Sequence, residues 1–249
     1  MLLHSKSWIE KHKDDLEPWQ QSAYEEFAKT MTDKENPYPC VPGIQGFIQD
    51  SLRFCFAGNP EEESSIKRVS AALKEYGTIS RDTGRYASIV IFFETSKQNE
   101  YDIESFQHLF WSLLNRIHHY DGSAWPEDIP KNPHHHDWEF CFEGEPYFAF
   151  CATPAHTIRK SRYFPFFALA FQPRWVFEDI NADTPFGRKL KNVIRKRLLE
   201  YDGVRPHPDL KWYGQEDNHE WKQYFLRDDE TSMSRCPFST MKNEIKNRS

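Results

Sequence analysis

Several features are missing from this chain of 249 residues, and each absence excludes something. No run reaches about eighteen apolar residues, so no membrane-spanning helix is expected. The opening "MLLHSKSWIEKHKDDLEPW" turns charged too early for a secretory hydrophobic region. The five cysteines (Cys40, Cys55, Cys141, Cys151, Cys236) are odd in number and contain no CxxC. Reduced thiols in the cytosol are therefore expected rather than a disulfide framework. A basic excess is also lacking: the net charge is −6, which gives no electrostatic case for nucleic acid. There is no phosphate-binding glycine loop, no nucleophile elbow and no HExxH. Without repeats, low-complexity linkers or a composition break, residues 1–249 read as a single domain.

Aromatics are plentiful, 16% of residues with twenty Phe and eight Trp. They suit a packed core or a pocket for a flat ligand. The pattern predicts a charged helix from about 7 to 30, interrupted at Pro18, and then a helix-breaking "NPYPCVPGIQGF". "SLRFCFAG" and "YASIVIFFE" read as strands flanking a helix in "NPEEESSIKRVSAALKEYG", capped by Asn59 and ending before Gly77. A second helix spans about 103–120. "WEFCFEGEPYFAFCAT" reads as two strands joined at Gly144 and Glu145, and "FFALAFQPR" as another. "DTPFGRKLKNVIRKRLLEY" is a cationic amphipathic helix with its apolar side at Phe186, Leu190, Val193, Ile194 and Leu198. The tail, 203–249, is irregular apart from a short helix around "EDNHEWKQYFL". This order implies an α+β fold, with a mixed, largely antiparallel sheet packed by helices.

Four groups of residues could carry chemistry. In the triplet His134–His136, alternation would put His134 and His136 on one side, with Asp137 or Glu139 completing a two-histidine, one-carboxylate iron site. Solvated loop histidines are the plainer reading. His118 continues the stripe of Trp111 and Leu114 and is either a core imidazole or an axial ligand, with Asp121 one turn on to orient its ring. In "TPAHTIRKSRYF", His156, Arg159 and Arg162 cluster, and the two arginines could grip a carboxylate, a phosphate or a haem propionate or simply form a surface patch. Arg174 adds a further guanidinium. Cys40 in "YPCVPG" is a buried inert thiol, a nucleophile or a thiolate ligand to haem.

Seven ordered pieces, "YPCVPG", the HxxD of "IHHYDGSAWP", "FEGEPYF", "PAHTIRKSRYF", "FQPRWVFE", "EWKQYFLRDD" and "CPF", resemble the YqcI/YcgG family over roughly 37–238. Some of its members resemble haem-dependent N-oxygenases of arginine and guanidino compounds. The resemblance implies a cytoplasmic monooxygenase with b-type haem that N-hydroxylates a small guanidino or amino compound. It would use dioxygen or peroxide and an electron donor. His118 would hold the iron, Asp121 would tune it, and Arg159 and Arg162 would hold propionates or a substrate carboxylate. Glu143, Glu145 or Glu178 would take a guanidinium. The chain departs from many relatives at Thr153, where a histidine often precedes the proline, so the ligand stays open between His118 and His156. The rivals are a haem or small-ligand carrier without turnover and a non-haem iron enzyme. A homodimer is compatible with the many aromatics.

Overall fold

A computed structural model describes residues 2–95, 97–180, 184–213 and 215–238. Its centre is a six-stranded sheet in the order β1-β2-β3-β6-β5-β4. The strands are β1 (His4–Ser5), β2 (Leu52–Gly58), β3 (Ser88–Phe93), β4 (Phe140–Phe142), β5 (Glu145–Ala152) and β6 (Phe167–Pro173). Only β2 and β3 pair in parallel; the other neighbours are antiparallel. The parallel pair needs a crossover, and α4 (Glu63–Thr83) supplies it. This is the expected α+β arrangement.

Side chains alternate across the strands and build a core on each face. On one face Cys55, Ile89, Ile91, Tyr147, Leu169 and Phe171 pack under α4, α5 (Ile103–His119) and α7 (Trp221–Tyr224). On the other, Phe54, Phe56, Val90, Phe92 and Ala168 meet α1 (Lys6–Lys11), α2 (Pro18–Thr32) and α3 (Val41–Ile48). The cationic helix α6 (Pro185–Asp202) lies against the turns at 160–162 and 174–180.

Four local expectations need correction. Pro18 does not interrupt a helix but opens α2 at its first turn, where a missing N–H costs nothing. Pro42 does the same for α3, inside a segment that reads as helix-breaking. Helix α4 begins at Glu63 rather than after Asn59, and runs through Gly77 to stop at Gly84, whose φ of +131° ends it. The β4–β5 turn is Glu143–Gly144, both at positive φ as a two-residue hairpin requires, and not Gly144–Glu145.

Candidate functional site

Helix α5 ends at His119, so His118 sits in its last turn and is half-buried. Its ring meets Trp125 edge-on at 5.8 Å and Phe238 at 5.4 Å, and its Nδ1 is 3.7 Å from a carboxylate oxygen of Asp121. The other oxygen of Asp121 accepts the amides of Ser123 and Glu143, closing the loop after the helix. Trp125 stands between His118 and a broad surface hollow of about 720 Å³ that Trp125, Pro126, Lys131 and His135 help to line. The imidazole thus completes an aromatic stack, with Trp138 against the far side of both Trp125 and Phe238.

His156 is buried, and both ring nitrogens are engaged. Nε2 lies 2.8 Å from the carbonyl of Leu226, which can only accept, so Nε2 carries the proton. Nδ1 then accepts from the hydroxyl of Thr153 at 2.9 Å, and that oxygen accepts the amide of Ala155. Burial pushes the imidazole pKa down and keeps it neutral. The departure at Thr153 therefore gives His156 its hydrogen-bond donor.

The two arginines of the same segment hold the chain together. Arg159 donates to the carbonyls of Arg227 and Arg205. Arg162 donates to those of Tyr224 and Gln223, and its guanidinium lies 4.3 Å from the Phe150 ring centre. Burial acts to raise the Asp228 pKa, but the amides of Thr157, Ile158 and Arg159 outweigh it and hold the carboxylate charged. The "PAHTIRKSRYF" segment is thereby pinned to residues 223–228.

The consecutive histidines form a bent loop rather than a strand, so alternation does not apply. His135, His136 and Asp137 bring ligand atoms within 4.8 Å of one another, a different set from the His134 and His136 pair that strand alternation would give. Arg174 lies 3.9 Å from the Asp137 carboxylate, where it competes with any cation. Glu139 lies apart, buried with the Tyr213 hydroxyl donating to it. Glu143 pairs with Lys74 at 2.9 Å; neither it, Glu145 nor Glu178 lines the apolar cleft described next.

That cleft lies on the α2–α3 face of the sheet. Val90, Phe148, Phe150, Ala168 and Ala170 form its floor, Phe27 and Met31 come from α2, and Tyr163 and Phe164 from the β5–β6 connection. Its polar lining includes Thr30, Tyr38, Tyr86 and Gln172, and among the described residues no histidine or carboxylate lines it. Cys40 is the N-cap of α3 and lines the same cleft. Cys40 as a residue keeps accessible surface, while its thiol is closely surrounded by protein atoms. Burial raises the thiol pKa, while the Gly43 amide bonded to sulfur and the Arg162 charge pull it back. A Cβ at position 43 would sit 3.2 Å from the Cys40 sulfur, close enough that the thiol would have to shift by a few tenths of an ångström. Sequence reading singled out Cys40, but the walls around it come from five other segments that no local pattern joins.

The model of the YqcI/YcgG family matches residues 27–239. The chain is 52% identical over 243 residues to YcgG of Bacillus subtilis (strain 168), covering 97% of this chain and 96% of that protein. It is likewise 52% identical to YqcI of the same organism over 248 residues, covering 99% and 98%. It is 33% identical over 232 residues to DcsA of Streptomyces lavendulae, provisionally named an N(omega)-hydroxy-L-arginine synthase, with 91% and 86% covered. No solved structure matches.

Proposed function

The chain belongs to the YqcI/YcgG family, and from that membership we propose a haem-dependent oxygenase that hydroxylates a nitrogen of a small guanidino or amino compound. The name of the relative DcsA supports the reaction class; a family alone would not fix it. The observation that carries the haem assignment is the aromatic cleft with one sulfur ligand in its wall.

The donor set suits haem better there than at either histidine. A ring over His118 would have to displace Trp125 and Phe238, and His156 has no nitrogen left to give. In the cleft Cys40 would hold the iron, with Phe27, Phe148, Phe150 and Phe164 available to pack on the ring. The cavity volume of about 170 Å³ is below the ~300–1,000 Å³ that encloses a whole ligand. The cleft as it stands would therefore enclose the group only in part. Haem bound through a thiolate supplies the activation of dioxygen.

The chain's own residues do the rest. The Gly43 amide and the buried Arg162 charge stabilise negative charge on the Cys40 sulfur. Arg162 does so from beneath the Phe150 ring, so no guanidinium donor intrudes into the cleft. The apolar walls exclude water, which protects a nitrogen oxidation from leakage. With no carboxylate among the described lining residues, a guanidino group would be bound by neutral acceptors, the Tyr38 and Tyr86 oxygens and the Gln172 amide oxygen.

The test uses the haem-loaded protein with arginine, agmatine and simple amines, isotope-labelled dioxygen and a chemical reductant, with products read by mass spectrometry. The reading expects one labelled oxygen on nitrogen, lost in Cys40→Ala. Unlabelled or absent product with every substrate contradicts it. The cluster His135, His136 and Asp137 supports a second reading, a non-haem iron site; iron retained without porphyrin and lost in His136→Ala would favour it.

A further inference from the structure

Helix α6 is unlike the rest of the surface. Between Pro185 and Asp202 it carries six cations (Arg188, Lys189, Lys191, Arg195, Lys196, Arg197) against two acids, in a chain of net charge −6. The helix is also poorly buried: Gly187 and Asp202 are the only fully buried positions described along it. Two of the cations serve the fold. Lys191 lies 3.9 Å over the Trp212 ring, and Arg195 donates to the carbonyl of Leu210 at 2.8 Å. On the opposite side Phe186, Lys189, Val193 and Lys196 are exposed at spacings of three and four, with the half-buried Arg197 beside them, so they share one face. The apolar side expected inward is thus divided: Phe186 and Val193 point out, and Leu190, Ile194 and Leu198 are only half-buried.

Both ends of the helix lie near residues that line the cleft or adjoin its lining. Phe186 lies 5.4 Å from the Arg85 guanidinium, next to Tyr86, which lines the cleft. Tyr201 packs edge-on against Tyr38, another lining residue, at 5.7 Å. The C-terminal end is fixed there, because Asp202 accepts both the amide and the hydroxyl of Ser161.

We propose that the outward face of α6 is the docking surface for a small acidic one-electron carrier of the flavodoxin or ferredoxin kind. This rests on the oxygenase reading, whose balance requires such a partner. A substrate N–H with dioxygen, two electrons and two protons gives N–OH and water. The electrons arrive in two one-electron oxidations of the carrier, and the protons come from solvent. Exposed cations framing two apolar side chains match an acidic rim around an apolar centre. A broad polyanion such as a lipid surface would also meet the acidic remainder of this chain, whereas a compact partner meets the helix alone.

The test titrates a bacterial flavodoxin onto the chain without haem, and follows flavodoxin-driven haem reduction in the loaded protein. The triple variant Lys189→Glu, Lys196→Glu, Arg197→Glu is compared with wild type. Among the described residues Lys196 pairs with Glu200, and that exposed pair contributes little to stability. The proposal expects the variant to lose about tenfold or more in affinity and in reduction rate, with added salt weakening wild type in the same direction. Reduction by dithionite should be unchanged. Equal flavodoxin binding by both proteins overturns the proposal. So does variant-sensitive binding to phosphatidylglycerol vesicles with no binding of flavodoxin. If haem never loads but flavodoxin binding still depends on the three cations, the docking surface stands and the oxygenase reading falls.

Discussion

A thiol and an imidazole answer differently to pH, which makes the ligand testable at the scale of one residue. As the proposed ligand, Cys40 would have to lose its proton to iron, and burial already raises its pKa. Haem affinity should therefore keep rising between about pH 7 and 9, whereas a histidine ligand, ordinarily neutral above about 6.5, would level off. Haem titrations across that range decide between them. Glu139 offers a second residue-scale prediction. Burial pushes its carboxyl up to about 7, against the Tyr213 hydroxyl that donates to it and favours the charged form. Its folded pKa is thus raised, so its contribution to stability is present at low pH and lost as pH rises through about 7. Glu139→Gln keeps an acceptor for Tyr213 and removes that loss. The melting temperature of the variant relative to wild type should be higher at pH 8 than at pH 5, by an order of a few degrees. An identical difference at both pH values would contradict this. Residue identity was partly legible: the sequence pointed to His118 by its place on an aromatic stripe, but the same stripe makes it part of the aromatic stack with Trp125 and Phe238.

Among the elements, α3 matters most because it presents Cys40. Gly46 on this helix faces the strand entry, and a Cβ there would lie 2.7 Å from the carbonyl oxygen of Tyr86 and 2.9 Å from Leu52. Backbone cannot give way cheaply, so Gly46→Ala should cost about 1–3 kcal/mol in urea unfolding. It should also weaken haem binding by shifting the wall that carries the thiol. A change below about 0.5 kcal/mol would mean that the close approach is not real. The strands β2 and β3 were readable because their apolar and β-branched runs have little alternative. Helix α3 was not, since prolines at 37, 39 and 42 read locally as breakers. The two-residue edge strand β1 pairs through His4 and Ser5, too short for any period to show.

For the whole molecule, one sheet separates two environments. The α4–α5 face is filled by large side chains such as Phe106, Phe110, Trp111 and Tyr147, all buried. The α2–α3 face leaves an open aromatic cleft beside an exposed cationic helix. The sheet class and much of the core follow from hydrophobic pattern. The cleft does not, because Phe27, Cys40, Phe148 and Phe164 meet only once the sheet order is set, and that order depends on long-range pairing. The central claim is that haem sits in this cleft on Cys40. Its most direct test is the absorption spectrum of protein expressed with a haem precursor, comparing wild type with Cys40→Ala, His118→Ala and His156→Ala. A Soret band present in wild type and both histidine variants, with a thiolate-type ferrous–carbonyl spectrum, and altered or lost in Cys40→Ala, is the predicted result. A band unaffected in Cys40→Ala but lost in His118→Ala, or no band in wild type at stoichiometric haem, would contradict it.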